Sequence, residues 1–204
     1  MRWDNLFDDL ESQLAQGLGA EEIDLQAEEE RLRLGRLRLR DRLVSLHEAS
    51  ADSVDYSLRF TLISGDAITL RPRAFGRDWL SADVVAESAR QHHCVLPLSA
   101  IGGITLTRQQ ARMSLTVPRS PSALPALSDR LGIAFLLRDL CRRRTGLEVW
   151  LMRGGAAAPV SGTIDRVGHD HFDLAEHEPG SARRESVVTA VRVIPLSELV
   201  LVRL

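Results

Sequence analysis

Two short segments with the pattern Gly-x-Asp carry the residue types that could bind a ligand. The first comprises Gly76, Arg77, Asp78 and Trp79, and the second comprises Gly168, His169, Asp170 and His171. Aromatic side chains beside such loops can stack on nucleic-acid bases. Core packing of the neighbouring strands explains Trp79, Phe75 and Phe172 equally well, and we favour it. The two segments are the first candidates for a binding site.

Metal-capable side chains gather around the second segment. They are His169, Asp170, His171, Asp173 and His177. Zinc needs three or four converging ligands, whereas a His-x-His pair between two strands is more often a polar surface. A second group runs from His92 to Cys94, but His93 and Cys94 face opposite sides of a regular strand. We therefore predict no metal and no other cofactor.

Catalytic motifs are absent from the sequence. It contains no G-x-S-x-G, Walker-type, H-E-x-x-H or C-x-x-C pattern. Ser99 and Ser197 each follow a Pro-Leu pair, where a role in a turn is the plainer account. We predict that the protein is not an enzyme and has no catalytic residues.

Charge, hydropathy and cysteine content limit the kinds of partner that the sequence predicts. The net charge is −2 and every basic side chain other than histidine is arginine, so a whole-protein field that attracts polyanions is not indicated. No apolar run approaches the ~20 residues of a bilayer span, and the N-terminus is acidic where a signal peptide is basic. Cys94 and Cys141 are too few for a disulfide framework. We predict a cytoplasmic protein with reduced cysteines and no membrane partner.

An internal repeat organises the chain. Val95–Ile101 (VLPLSAI) matches Val193–Leu199 (VIPLSEL), and each is preceded by a Gly-x-Asp segment and an alternating strand. A Leu-Arg-Asp helical run stands before each copy, at Leu39 and at Leu137. Four matches in the same order indicate a duplication.

Each copy reads as one helix followed by about five short strands. Alternation such as Leu147, Val149 and Leu151 predicts half-buried strands, and Gly65-Asp66 and Gly154-Gly155 predict hairpin turns. In the second copy we predict strands at Leu147–Met152, Pro159–Val167, His171–Ala175, Val187–Pro195 and Leu199–Leu204. A Pro/Ser-rich stretch separates the copies, and Ser128-Asp129 offers an N-cap for a helix that runs through Arg143 and ends near Gly146.

The ordered pattern resembles the Sm-like (LSm) family. The best match is GTIDRVGHDHFDL at Gly162–Leu174, which resembles the family's first motif, whereas the first copy fits closely only over Phe75–Leu80. The resemblance covers residues 39–107 and 128–204. It implies a strongly bent five-stranded antiparallel barrel that assembles edge to edge into rings and commonly binds single-stranded RNA. Rings of this family form through strands four and five, here His93–Leu98 with Ile101–Leu106 and Arg192–Leu196 with Leu199–Arg203.

The resemblance also implies where RNA would bind. Family members contact RNA through a polar residue in the loop after strand two and a basic element between strands four and five. The first element is matched by Asp78 and by His169, Asp170 and Asp173, but Pro97–Ala100 and Pro195–Glu198 replace the second. The residues proposed to contact RNA are Arg77, Asp78, Trp79, His169, Asp170 and His171.

These observations predict a mainly β fold with helical additions. We expect two tandem five-stranded Sm-like small barrels, each preceded by a helix, plus an N-terminal helical arm. The expected ranges are 1–38 for the arm, 39–116 for domain one, 117–127 for the linker and 128–204 for domain two. Leucines at Leu25, Leu32, Leu39 and Leu46 have coiled-coil spacing, but Glu29 and Arg36 interrupt the seam, so we expect the arm to pack on the first copy or on a partner subunit.

Function is expected to follow from assembly. The leading hypothesis is a non-enzymatic oligomeric scaffold with single-stranded RNA as the favoured ligand. The alternative is a protein–protein adaptor that binds no nucleic acid, which the missing basic element and the slightly negative charge favour. A metal-dependent enzyme is the third reading.

Overall fold

The computed structural model describes residues 22–50, 56–85, 92–116, 130–153, 156–181 and 183–204. Residues 1–42 form one unit and residues 43–204 form a second. The predicted linker at 117–127 and the predicted turn at Gly154-Gly155 lie outside the described residues.

The described part of the first unit is helical. Helix α1 covers 22–36, residues 37–38 are not helical, and helix α2 (Leu39–Ala49) then begins and continues into the second unit. Exposed ion pairs join Glu28 to Arg31 and Glu30 to Arg33 along α1. Because the helix is interrupted at 37–38, the seven-residue leucine spacing does not run along one continuous helix.

The second unit contains ten strands and two further helices within the described ranges. The first five strands are β1 (Leu58–Leu62), β2 (Ala67–Phe75), β3 (Trp79–Val84), β4 (His92–Pro97) and β5 (Ile101–Thr105). The others are β6 (Gly146–Arg153), β7 (Ala156–Val167), β8 (His171–Glu176), β9 (Ala190–Pro195) and β10 (Leu199–Arg203). Helices α3 (Arg108–Met113) and α4 (Ile133–Arg143) lie between β5 and β6. The predicted strands of the second copy are confirmed to within a few residues.

The strands form one antiparallel, open sheet rather than the two closed barrels expected from the sequence. Its order is β5-β1-β2-β3-β4-β10-β6-β7-β8-β9, and every neighbouring pair is antiparallel. We name α2 with β1–β5 the first repeat and α4 with β6–β10 the second repeat. The order within the first repeat, five-one-two-three-four, recurs within the second when its own strands are counted from one to five. The strand pairing therefore repeats as the sequence does.

Alternation of apolar and polar residues produces the strands. In β1, Leu58, Phe60 and Leu62 are buried while the residues between them are exposed, as expected for a strand with one face on a core. Gly65 then adopts φ 87° in the turn to β2, a conformation that glycine reaches without steric cost. The predicted Gly65-Asp66 turn is confirmed.

The buried side chains form two clusters, one centred on each repeat. The first core contains Leu43 and Leu46 of α2 with Phe60 of β1, and the second contains Leu137 of α4 with Phe172 of β8. The cores share strands at the junction between the repeats. Val95 of the first repeat lies in the second core, and Val200 and Leu201 of the second repeat lie in the first core.

The start of α4 differs from the sequence prediction. The predicted cap at Ser128-Asp129 lies outside the described residues, and the helix begins at Ile133 with Gly132 as its N-cap and no side-chain bond from that residue. The C-terminus is closed by Arg144, with φ 50°, rather than by Gly146, which begins β6. Among the described helices, none combines the length and the apolar character needed to cross a bilayer.

Candidate functional site

The two Gly-x-Asp loops have the same backbone geometry. Gly76 N–H donates to the Trp79 carbonyl at 2.8 Å, and Gly168 N–H donates to the His171 carbonyl at 2.8 Å. A Cβ atom on Gly76 would lie 2.2 Å from the Trp79 ring, and one on Gly168 would lie 2.6 Å from the His171 ring. A side chain at Gly76 would clash with the buried Trp79 ring, whereas one at Gly168 would displace the exposed His171 ring.

Each loop is also tied to the turn that follows the fourth strand of its repeat. Leu98 N–H donates to the Asp78 carbonyl at 2.9 Å, and Leu196 N–H donates to the Asp170 carbonyl at 2.7 Å. Both leucines begin a 3-10 turn after a proline. This contact explains why Gly-x-Asp and Pro-Leu-Ser recur together in the sequence.

The loop of the first repeat, residues 76–79, is occupied by the start of α4. Asp78 Oδ1 accepts a hydrogen bond from Ile133 N–H at 2.7 Å. Arg77 N–H and Trp79 Nε1–H both donate to the Leu131 carbonyl, at 3.0 Å and 2.9 Å. The Trp79 ring is buried in the second core, in agreement with the packing account. Three of the six residues proposed for RNA contact thus hold the beginning of the second repeat.

The loop of the second repeat, residues 168–171, is exposed at the matching positions. The Asp170 side chain is 82% exposed, and its Oδ1 lies 2.8 Å from His171 Nδ1. This hydrogen bond holds the pKa of the Asp170 carboxyl below its ordinary value. His169 is exposed as well. The structure therefore brings His169, Asp170 and His171 together on the surface, apart from the engaged residues of the first loop.

The histidines around the second Gly-x-Asp segment do not converge on one site. His177 is buried, with Nε2 2.8 Å from Thr163 Oγ1 and Nδ1 3.1 Å from Ser181 Oγ. Its ring therefore joins β7 to the turn after β8. No group of three or more histidine, cysteine or acidic side chains is placed to hold a metal within the ranges that the structure describes.

His93 of β4 lies beside an acidic side chain of the neighbouring strand β3. Its Nδ1 lies 2.6 Å from Asp83 Oδ1, and Arg73 Nε donates to the other oxygen of Asp83 at 2.6 Å. Asp83 is buried, and the exposed Arg73 guanidinium on the neighbouring strand balances its charge. Cys94 points the other way into the first core.

A cavity of about 560 Å³ lies where β6, β7 and the end of β10 meet. Two of its arginines are already paired, Arg183 with Asp165 and Arg203 with Glu148. The buried Thr163–His177 pair lies in its wall. The charged groups here are used mainly to hold strands together.

The junction between β4 and β10 is the largest difference between the two repeats. Val95 pairs with Val202 across this junction and is 2% exposed. Val193, which holds the matching position in β9, is 62% exposed, because β9 ends the sheet. β5 ends the sheet on the other side. The matching V-x-P-L-S motifs mark the two valines in the sequence but do not indicate that one is enclosed and the other exposed.

No protein-family model, curated protein or solved structure matches the chain.

Proposed function

We propose that the protein is a non-enzymatic scaffold of two tandem Sm-like units that assembles from copies of itself, edge to edge. The observation that carries this proposal is the junction in which β10 pairs with β4. It joins the fifth strand of one repeat to the fourth strand of another. The repeated strand order leaves one strand of each kind, β9 and β5, at the two ends of the sheet.

The junction between β4 and β10 shows which interactions a contact between two copies would need. Backbone pairing runs from Val95 and Cys94 to the end of β10, and Leu204 N–H donates to the His93 carbonyl at 2.8 Å. Apolar side chains cross in both directions between the cores. Backbone bonds set the alignment of such a junction, and burial of apolar side chains supplies most of its free energy.

The outer edge of β9 has the features of an unmatched junction. Val191 and Val193 are exposed beside backbone groups that pair with nothing in the described part of the chain. Proteins usually protect such an edge with charge, proline or a covering element because it can pair with another strand. An exposed apolar edge at the position where the sister repeat is paired supports pairing between copies.

The matching edge strand, β5, carries less apolar side chain than β10. Gly102 and Gly103 stand where Val200 and Leu201 stand in the second repeat. A junction between copies would therefore bury less apolar surface than the internal junction. We expect an association that depends on protein concentration.

The test is the mass in solution, measured by size-exclusion chromatography with light scattering over a range of concentrations. The wild-type chain is expected to exceed the monomer mass of 22.6 kDa. Val193→Lys places a charge on the outer edge of β9 and is expected to yield monomers. Val85→Lys is the matched control, because Val85 is exposed and follows β3 inside the sheet.

Two outcomes would count against self-assembly. A wild-type chain that stays at the monomer mass at every concentration would exclude it. A Val193→Lys chain that keeps the wild-type mass would show that β9 is not the contact edge.

Single-stranded RNA is the second candidate, supported only by the exposed loop of the second repeat. His169, Asp170 and His171 are accessible there, whereas Arg77, Asp78 and Trp79 are engaged with the start of α4. A salt-dependent shift of short oligo-U or oligo-A RNA, weakened by His169→Ala, would support this ligand. If no RNA is retained at low salt, the protein–protein adaptor remains.

A further inference from the structure

The exposed loop of the second repeat is the counterpart of a loop that holds a helix. In the first repeat, Asp78 accepts from the first N–H of α4. In the second repeat, Asp170 occupies the same position with the same backbone bonds, yet its hydrogen bond within the described residues goes to the adjacent His171. The second loop thus has the backbone arrangement that binds a helix N-terminus in the first repeat, but no helix occupies it within the described residues.

Helix α2 is the counterpart of the helix that the first loop holds. Both α2 and α4 are 11 residues long, and both follow two residues that are not helical, 37–38 and 131–132. Their buried leucines fall at the fifth and eighth positions, which are Leu43 and Leu46 in α2 and Leu137 and Leu140 in α4. The two helices therefore match in length, in the two non-helical residues that precede them, and in the positions of their buried leucines.

The first residues of these helices differ in exposure. Ile133 of α4 is 9% exposed, whereas Leu39 of α2 is 41% exposed. The first N–H groups of a helix have no partner within the helix and need an outside acceptor. An acidic side chain is a favourable acceptor there because it also matches the helix dipole.

We propose that Asp170 of one copy caps α2 of the next copy by accepting a hydrogen bond from Leu39 N–H. The contact repeats between chains what Asp78 and Ile133 do within one chain. It rests on the edge-to-edge assembly proposed above, and it names the side chains that complete that assembly.

The neighbouring donors match in the same way. Trp79 Nε1–H and Arg77 N–H both donate to Leu131, two residues before α4 starts. In the proposed junction between copies, the His171 ring corresponds to the Trp79 ring, and His169 N–H corresponds to Arg77 N–H. The acceptor is the carbonyl of Leu37, which lies two residues before α2. Trp79 has a fixed indole N–H, whereas His171 donates from Nδ1 to Asp170, so the His171 ring matches the Trp79 donor toward Leu37 only as the imidazolium, in which Nε2 also carries a proton.

The proposal also gives the assembly a direction. The receptor loop is in the second repeat and the helix that it receives is in the first repeat, so copies join head to tail. Such a contact uses two different surfaces, and it closes into a ring or grows as a filament according to its rotation.

A mixed cross-linking experiment tests the contact directly. One chain carries Asp170→Cys and the other carries Leu39→Cys, both in a Cys141→Ser background, where the remaining Cys94 is buried. Mild oxidation of the mixture is expected to give a disulfide-linked dimer that contains one chain of each kind. Val85→Cys paired with Leu39→Cys is the control and is expected to give none.

Association constants supply the second measurement, by sedimentation velocity. Asp170→Ala removes the acceptor and is expected to weaken association about tenfold, whereas Asp170→Asn keeps an acceptor oxygen and is expected to stay within about threefold of wild type. Neither change should alter unfolding in urea of the monomeric Val193→Lys chain, because Asp170 is exposed. If Asp170 acted in folding alone, Asp170→Ala would instead lower the stability of the monomeric Val193→Lys chain and leave the association constant unchanged.

The outcomes separate the two proposals. One outcome is that the wild-type chain assembles and Val193→Lys dissociates it, while Asp170→Ala has no effect and no cross-link forms. In that case the proposed helix cap is wrong and the proposed edge-to-edge assembly is retained. If the wild-type chain is a monomer at every concentration, both are wrong. A tenfold loss with the cross-link present supports both.

Discussion

Asp78 and Ile133, which lie 55 residues apart in the chain, are joined by a hydrogen bond of 2.7 Å from the helix N–H to the carboxylate. The bond links the second and third strands of the first repeat to the helix that opens the second repeat. Asp78→Ala is expected to destabilise the protein by about 1–2 kcal/mol, the usual cost of losing a cap. Urea unfolding of the Val193→Lys chain would measure it without a contribution from assembly.

Asp170→Ala is the matched control for this measurement. Asp170 has the same place in the repeat, but its carboxylate is exposed and its side-chain hydrogen bond goes to the adjacent His171. We expect a change below about 0.5 kcal/mol. Equal losses in the two variants would mean that the bond to Ile133 adds nothing beyond the loop itself.

A second comparison uses the two matched valines. Val95→Ala is expected to cost about 2 kcal/mol, because the side chain is fully enclosed at the junction between the repeats. Val193→Ala is expected to leave the stability of the monomer nearly unchanged and to weaken association between copies. Similar losses of stability from both substitutions would contradict the placement of Val193 on an open edge.

Gly103 offers a gain of association. It stands at the position of Leu201, which is buried in the neighbouring core, and a Cβ at Gly103 would meet nothing within 4 Å. Gly103→Leu is expected to tighten association about tenfold by adding apolar contact area. The same substitution in the Val193→Lys chain should leave it monomeric, and an oligomer of that double variant would place the contact elsewhere.

Cys94 is expected to be unreactive in the folded protein. Burial raises the pKa of the Cys94 thiol to about 12, so the nucleophilic thiolate is scarce at pH 8. In a Cys141→Ser chain, alkylation should be slower than in urea by more than about a hundredfold. Because the folded pKa is raised, this thiol also costs stability as the pH rises from about 9 towards 12. Rapid alkylation of the folded chain would contradict the enclosed position.

His47 is expected to make the fold sensitive to mild acid. Burial lowers the pKa of His47, and Arg73 lowers it further while Glu48 opposes them. Its ring contacts Phe75 edge to face, with centroids 5.5 Å apart. Because the unfolded chain takes up the proton first, stability is present above about pH 6.5 and falls as the pH drops through the folded pKa.

His47→Gln removes this group and is the variant to compare. Unfolding in urea at pH 7.5 and at pH 5 should show a smaller loss of stability in His47→Gln than in wild type. The other titrating groups are common to both chains, so the difference reports His47. Identical losses would mean that His47 titrates normally in the fold.

Much of the secondary structure could be predicted because its cause is local. Alternation at Leu147, Val149 and Leu151 predicts β6 from side chains two residues apart, and positive φ at Gly65 follows from the turn that needs it. The end of α4 at Arg143 was predicted, but its start was not. Its cap comes from Asp78, a residue far away in the chain, so no pattern near Ile133 could indicate it.

The candidate site was predicted as two loops with the same motif, and the structure gives these loops different partners. Residue types place Asp78 and Asp170 in the same motif, and the backbone bonds agree. Their surroundings differ because Asp78 lies beside the start of α4, whereas Asp170 is exposed within the described residues. Position in the array, which residue types do not encode, determines which carboxylate is engaged and which is exposed.

By itself, the sequence determined the duplication, the strands and the turns, since each depends on side chains within a few residues of one another. Only the tertiary structure decided that β4 pairs with β10, that the ten strands form one sheet, and that Val95 is enclosed while Val193 is exposed. Pairing of distant strands depends on which edges remain open once each repeat has folded. The two Gly-x-Asp loops share a motif, but in the structure one caps a helix and the other is exposed.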